Sequence, residues 1–189
     1  MAKMKPDARP QISRDEVLAL LKSNKVDLSK EKVALVGIRG YYRDTMGVPG
    51  KNDVGIYDDA LIWIDLTEMV TFNANTDPSR YRLKVASLAG DRVWRYRKGN
   101  HGSRVYGSYP AFRQAEEVMV QRYVNGKIWK EDVGFFGINI HRGERNSTSS
   151  LGCQTLPIDQ WEAFRALGYM LLKRHGKEQN FPYLLIGKV

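Results

Sequence analysis

Apolar residues recur along the chain in short blocks, more of them strand-like than helical, each bounded by polar or turn-forming residues. Residues 1–12 carry no such pattern and are expected to be disordered. Ser13-Arg14-Asp15-Glu16 has capping-box spacing, and Val17, Leu18, Leu20 and Leu21 supply an apolar helical face that ends near Ser23-Asn24. So short a helix is expected to pack on the body of the protein. Val33-Ala34-Leu35-Val36-Gly37-Ile38 reads as a buried strand. Ala60-Leu61-Ile62-Trp63-Ile64 and Glu68-Met69-Val70-Thr71-Phe72 read as a hairpin turning at Asp65-Leu66-Thr67, with a loop over 73–79. Val93-Trp94-Arg95-Tyr96-Arg97 alternates like a strand and leads into a turn-like segment over 98–103; residues 111–114 read as connecting structure. The blocks at 118–124 and 127–129 bracket Asn125-Gly126, the strongest hairpin signal in the chain. Alternation over 135–140 reads as another strand. Leu156-Pro157 opens a helix in which Trp161, Phe164, Leu167, Leu171 and Leu172 recur at helical spacing, with Gly176 at its C-terminal cap. That aromatic stripe is expected to be core, and Phe181-Pro182-Tyr183-Leu184-Leu185-Ile186 closes the chain as a strand. The pattern predicts a mainly β fold with flanking helices.

A long irregular segment, 39–59, interrupts this pattern. Its Arg39, Tyr41, Tyr42, Arg43 and Asp53 fit either one wall of a substrate cleft or a structural Ω-like loop, and the sequence leaves both open. Asn75 and Asp77 resemble calcium ligands, but nothing completes an oxygen cage of EF-hand type, so no metal is expected there.

Composition narrows the class. A chain of 189 residues, 42% hydrophobic and 27% charged, suits one domain with a short appendage. No apolar run is long enough for a transmembrane span, and the polar, basic, proline-containing first dozen residues do not resemble a signal peptide. One cysteine rules out an internal disulfide. Net charge is +9, with many basic residues between Arg80 and Arg122, which favours polyanions. Zinc-finger spacing, RNP-like aromatics and a helix-turn-helix pair are missing, so specific nucleic-acid binding is not expected; a nucleic-acid binder remains a rival resting on charge alone.

The chemistry concentrates in 137–155, Gly-Ile-Asn-Ile-His-Arg-Gly-Glu-Arg-Asn-Ser-Thr-Ser-Ser-Leu-Gly-Cys-Gln-Thr, which holds Cys153 and His141. A thiol attacks carbonyl carbon well only as thiolate, and an imidazole is the usual activator at neutral pH. The strand is expected to deliver His141 to its end, and the polar run 146–149 to loop the chain back to Gly152-Cys153. A lone cysteine is often just a small buried hydrophobe. The Gly, Gln, Ser and Thr around Cys153 are instead a poor setting for core packing, and Gly152 permits close approach to an oxyanion site of main-chain N–H groups. Asn139 or a backbone carbonyl would orient His141. Arg142, His101, Asn139 and Gln154 are the candidates for the substrate side.

Ser150-Leu151-Gly152-Cys153 resembles the Ser-x-Gly-Cys signature of the L,D-transpeptidase (YkuD-type) catalytic domain, and Ile140-His141 resembles that family's upstream Ile-His. The chain departs from the family in carrying His141-Arg142-Gly143 for His-Gly, and Gln154-Thr155 where Ile or Val and then Arg usually follow the cysteine. Its loop from His141 to Cys153 is also short. The wider pattern is similar to phage and prophage relatives of that family. The resemblance implies a YkuD-like β-sandwich or barrel with a helix after the cysteine, a tail and short helix over 1–30, and a catalytic domain over 31–189. It implies Cys153 as the nucleophile forming a thioester with a peptidoglycan stem peptide, His141 as its base, and Ser150 and Gly152 shaping the nucleophile loop. No cofactor or metal is implied. Without an export signal, hydrolysis is favoured over cross-linking, and such an enzyme would reach the wall by release or delivery. The alternatives are a transpeptidase proper and a non-catalytic, cationic wall-binding or virion module. Oligomeric state cannot be read from the sequence.

Overall fold

The computed structural model describes residues 11–83, 85–103, 107–124 and 126–187. In chain order the elements are α1 (Arg14–Ser23), α2 (Leu28–Glu31), β1 (Val33–Ile38), β2 (Asp59–Asp65), β3 (Met69–Ala74), β4 (Ala86–Leu88), β5 (Arg92–Ser103), β6 (Gly107–Gln114), β7 (Val118–Val124), β8 (Lys127–Gly134), β9 (Ile140–Arg142), β10 (Gln154–Leu156), α3 (Ile158–His175) and β11 (Phe181–Ile186). The fold is mainly β with a few helices. Among the described residues no helix is long and apolar enough to cross a membrane.

Eight strands form one sheet in the order β10-β9-β6-β5-β11-β1-β2-β3. Its two edges meet where the Asn75 and Thr155 main chains exchange N–H···O bonds of 2.8 and 2.9 Å, joining the end of β3 to β10. The central strands have no polar face, and alternation explains why. Val33, Leu35, Leu61, Trp63, Tyr183 and Leu185 enter one core, whereas Ala34, Val36, Ile62, Ile64, Leu184 and Ile186 enter another. The second core is closed by Val17 and Leu21 of α1, whose Ser13–Glu16 capping box forms as expected. The first is closed by α3 and by a small sheet, β4-β7-β8. Trp161, Phe164, Leu171 and Leu172 of α3 are buried there, and Gly168 lets the helix lie against Trp63 and Phe112. Gly176, at φ 64°, caps the helix.

Three local expectations are corrected. Residues 98–103 are not a turn; they extend β5, pairing His101 with Tyr109 and Lys98 with Phe112 of β6. Residues 111–114, expected to be connecting structure, belong to β6. The outer end of β5 lacks an apolar alternation because that end of the hairpin is solvated and held by ladder hydrogen bonds, whereas Ala111, Phe112 and Gln114 are buried and offer an apolar run only two residues long. Conversely, 135–139 is not a strand, although it alternates. Gly137 turns it at φ 71°, and Gln114 Oε1 accepts the Phe136 and Ile138 main-chain N–H groups at 3.2 and 2.8 Å, so one side chain stands in for a strand partner. The expected tail over 1–12 lies outside the described residues except for Gln11 and Ile12, whose N–H groups donate to the Tyr41 hydroxyl. Asn125 of the Asn-Gly turn also lies outside them, but β7 and β8 pair on either side of it as expected.

The irregular segment before β2 is structural, not a cleft wall: Arg39, Tyr41 and Tyr42 are buried. Arg39 meets Asp77 at 3.1 Å and donates to Thr76 O, Ser87 Oγ and Leu88 O. Asp77 and its neighbour Asn75 therefore serve an internal network, in which Asp59 accepts from the Gly40 and Thr76 N–H groups and the Thr76 hydroxyl. Among the described residues adjacent Asp58 accepts the Asp53 N–H, with its own main-chain N–H as the other donor facing it. Burial and the negative charge of Asp59 push Asp58 up to about 8. With three donors aimed at Asp59, Asp58 is the better seat for the proton this pair retains. A folded-state value above the unfolded one means stability that is fully present below about pH 4 and lost as pH rises through about 8. We expect Asp58→Asn to flatten the fall in melting temperature between pH 5 and 9, gaining about 2 kcal/mol, or roughly 4–8 °C, over the parent at pH 9. Equal pH slopes for the two proteins would refute it.

Candidate active site

The parallel pairing of β9 and β10 sets Thr155 opposite His141. Cys153 lies two residues before Thr155, so alternation turns its side chain to the face that His141 uses. The sulfur then rests on the irregular segment that Gln114 holds open, donating to Gly137 O at 3.3 Å. The Asn139 main-chain N–H is turned towards it. Had 135–139 continued as a strand, those main-chain groups would have been spent in a ladder.

His141 is 4% exposed, and its orientation is dictated by one atom. Its Nδ1 lies 2.7 Å from the Arg142 carbonyl, which can only accept, so Nδ1 carries the hydrogen and Nε2 is left as the base. The Tyr109 hydroxyl lies 3.1 Å from the same Nδ1. His101 stacks on the His141 ring with centroids 4.1 Å apart, and Asn139 Nδ2 donates to His101 Nδ1 at 3.0 Å. One ligand-type atom each of His101, His141 and Cys153 lies within 4.8 Å of the other two. Among the described residues this is a group that could hold a metal ion.

The turn into Cys153 is built by Ser150. Its Oγ donates to the Cys153 carbonyl at 2.5 Å and accepts the Gly152 N–H at 3.0 Å, while Ser79 Oγ accepts the Ser150 N–H. The Gly152 N–H is therefore already used and cannot join an oxyanion site. The Cys153 N–H has no partner among the described residues and remains for that purpose. Of the residues expected on the substrate side, Gln154 is excluded. It is fully buried, donating to Thr76 O and accepting from the Tyr183 hydroxyl. Asn139 is buried and holds His101, not His141; the Arg142 carbonyl plays the orienting part. His101 instead stacks on His141, beside Cys153. The half-buried Arg142 lies with its guanidinium 5.0 Å from the Tyr109 ring centroid. Gln114 and Tyr109 carried no motif, and only contact across strands identifies them.

Protein packed around the sulfur pushes the Cys153 thiol up to about 11, against the pull of the Asn139 N–H, although part of the residue reaches the surface. Burial lowers His141 to about 4, with His101 adding to the shift and the Arg142 carbonyl opposing it. Burial and Arg113 lower His101 as well. The resting pair is thus a neutral thiol beside a neutral imidazole, with ion-pair formation uphill by on the order of 10 kcal/mol. Attraction between the two charges at under 5 Å returns about 3–4 kcal/mol at an effective dielectric of about 20, too little to reverse the order. At pH 7.5 we expect iodoacetamide to alkylate Cys153 about 100-fold more slowly than a free cysteine, without a plateau below pH 10. A plateau near neutral pH, followed by mass spectrometry, would reveal a preformed ion pair and contradict this.

Beside the loop, Arg80, Arg82, Ser147, Ser149 and Leu151 line an open groove of about 490 Å³. Two arginines at its wall suit a carboxylate-bearing ligand. No family model, curated protein or solved structure matches the chain.

Proposed function

We propose that the protein is a cysteine acyl-transfer enzyme of L,D-transpeptidase type that acts on peptidoglycan stem peptides, and acts on them as a hydrolase. The observation that carries this reading is the approach of Cys153 Sγ to a His141 ring whose Nδ1 is already committed as a donor. His141 Nε2 takes the Sγ proton as sulfur attacks the peptide carbonyl, and the Cys153 N–H receives the oxyanion. The tetrahedral species collapses to a thioester as Nε2 returns the proton to the leaving amine. Water, deprotonated by Nε2, then releases the acid and the free thiol. Because the resting thiol is neutral, proton transfer accompanies attack. The Arg80 and Arg82 groove and the net charge of +9 support an anionic wall polymer as the partner, and the Ser-x-Gly-Cys resemblance supports the stem peptide.

The test is incubation with purified sacculi and mass spectrometry of the muropeptides. Loss of cross-links is the expected result; exchanged or newly joined termini would indicate transpeptidation. One observation, the high proton affinity of Cys153, favours a non-catalytic wall-binding module. That reading requires salt-sensitive sacculus binding with unchanged muropeptides.

A further inference from the structure

We infer that His101, His141 and Cys153 form a binding site for one zinc ion, and that the ion, when bound, silences the nucleophile. Two imidazoles and a thiolate are a donor set suited to zinc, and three protein ligands leave a fourth position open, as in catalytic zinc sites. Their ligand atoms lie within 4.8 Å of one another. Tetrahedral bonds of about 2.0–2.3 Å place donors roughly 3.3–3.6 Å apart, so binding requires the three groups to close by about 1 Å.

A fortuitous cluster would lack outer support, and this one has it. Both histidines engage Nδ1 elsewhere, His141 with the Arg142 carbonyl and His101 with the Asn139 amide. That leaves Nε2 of each ring as the donor towards the thiol. The His141 bond, in which the far ring nitrogen donates to a carbonyl, is of the kind that orients zinc-bound histidines. With the ion bound, His101 Nδ1 carries the hydrogen and the Asn139 amide turns to accept it through Oδ1. The rings already share one location, with centroids 4.1 Å apart and planes 25° apart. A cysteine–histidine pair alone needs no second imidazole there, and His101 otherwise has no part in the proton path. Binding replaces the S–H bond with an S–Zn bond and releases that proton to solvent. Sulfur then has no proton to pass to His141, and His141 Nε2 has no free lone pair.

Only the silencing clause rests on the proposed acyl transfer; the site itself does not. The test uses the full chain after chelator treatment, titrated with Co²⁺ and then Zn²⁺. The expected result is one Co²⁺ per chain with a near-ultraviolet thiolate-to-cobalt charge-transfer band that Zn²⁺ abolishes. Zn²⁺ should also slow iodoacetamide alkylation of Cys153 in the unmutated protein at least about 10-fold. That readout is clean, because the chain has one cysteine. Asn139→Ala should weaken Co²⁺ binding by about 10–100-fold, and His101→Gln by at least as much. An unmutated protein with neither band nor protection would overturn the site, as would a His101→Gln protein that binds Co²⁺ unchanged. If metal-free protein opens sacculus cross-links through Cys153 while no band forms, the zinc site is wrong and acyl transfer stands. A band from protein whose metal-free form leaves sacculi intact keeps the site and removes the acyl-transfer reading.

Discussion

Cys153→Ala is expected to lower the release of cross-linked muropeptides by at least about 10³-fold, while the protein remains folded and still binds sacculi. The expected loss is large because everything gathered at this point acts through sulfur. Removing a nucleophile leaves only the contribution of binding and the oxyanion donor, which in hydrolases is a residual effect. The mutation removes a group whose visible hydrogen bonds are to the main chain at Gly137 and Asn139, and both partners lie in a segment that Gln114 braces separately. Its cost in stability should therefore be small, about 1 kcal/mol. The measurement is the time course of muropeptide products with melting temperature as the control. Digestion at the parental rate by a folded Cys153→Ala protein would end the thioester mechanism.

Gly152→Ala carries the largest expected effect on stability. Gly152 has φ 145°, a region that L-residues rarely adopt. A Cβ added there would sit 2.2 Å from the Ala86 carbonyl oxygen and 3.0 Å from Ile138 Cδ1. The first neighbour is backbone in β4, and it cannot swing away as a side chain could. Backbone strain and overpacking together should cost about 3–4 kcal/mol, or roughly 6–16 °C in melting temperature for a domain of this size. Activity should fall with it, because any relief moves the loop that carries the Cys153 N–H. A melting temperature within 2 °C of the parent would show that the loop relaxes freely, and that the glycine is not required by space.

The strands that form the middle of the sheet were legible because their side chains record their burial. Val33–Ile38, Ala60–Ile64 and Phe181–Ile186 are apolar throughout since both faces meet a core. The α3 stripe and its glycine cap were equally readable, since period and cap chemistry are local. What escaped was structure held by main-chain bonds or by partners far away in sequence. The outer end of β5 looked like turn because a ladder at the solvated end of the hairpin leaves no hydrophobic signature, and 111–114 looked like connector because buried Ala111 and Phe112 are too short an apolar run to read alone. Residues 135–139 looked like strand, because their alternation could not reveal that Gln114 would take their N–H groups.

The amino-acid sequence by itself determined the class of fold, the central strands, both major helices and the stretch in which a thiol and an imidazole had to be sought. Each follows from local periodicity, capping or residue chemistry. Tertiary structure alone decided which imidazole nitrogen is free, that His101 stacks on His141, that Gln154 is spent inside, and that the resting thiol is neutral. Those properties depend on the packing of β5, β6, β9 and β10 and on the exclusion of water around the sulfur. Neither is encoded in any short window of the chain.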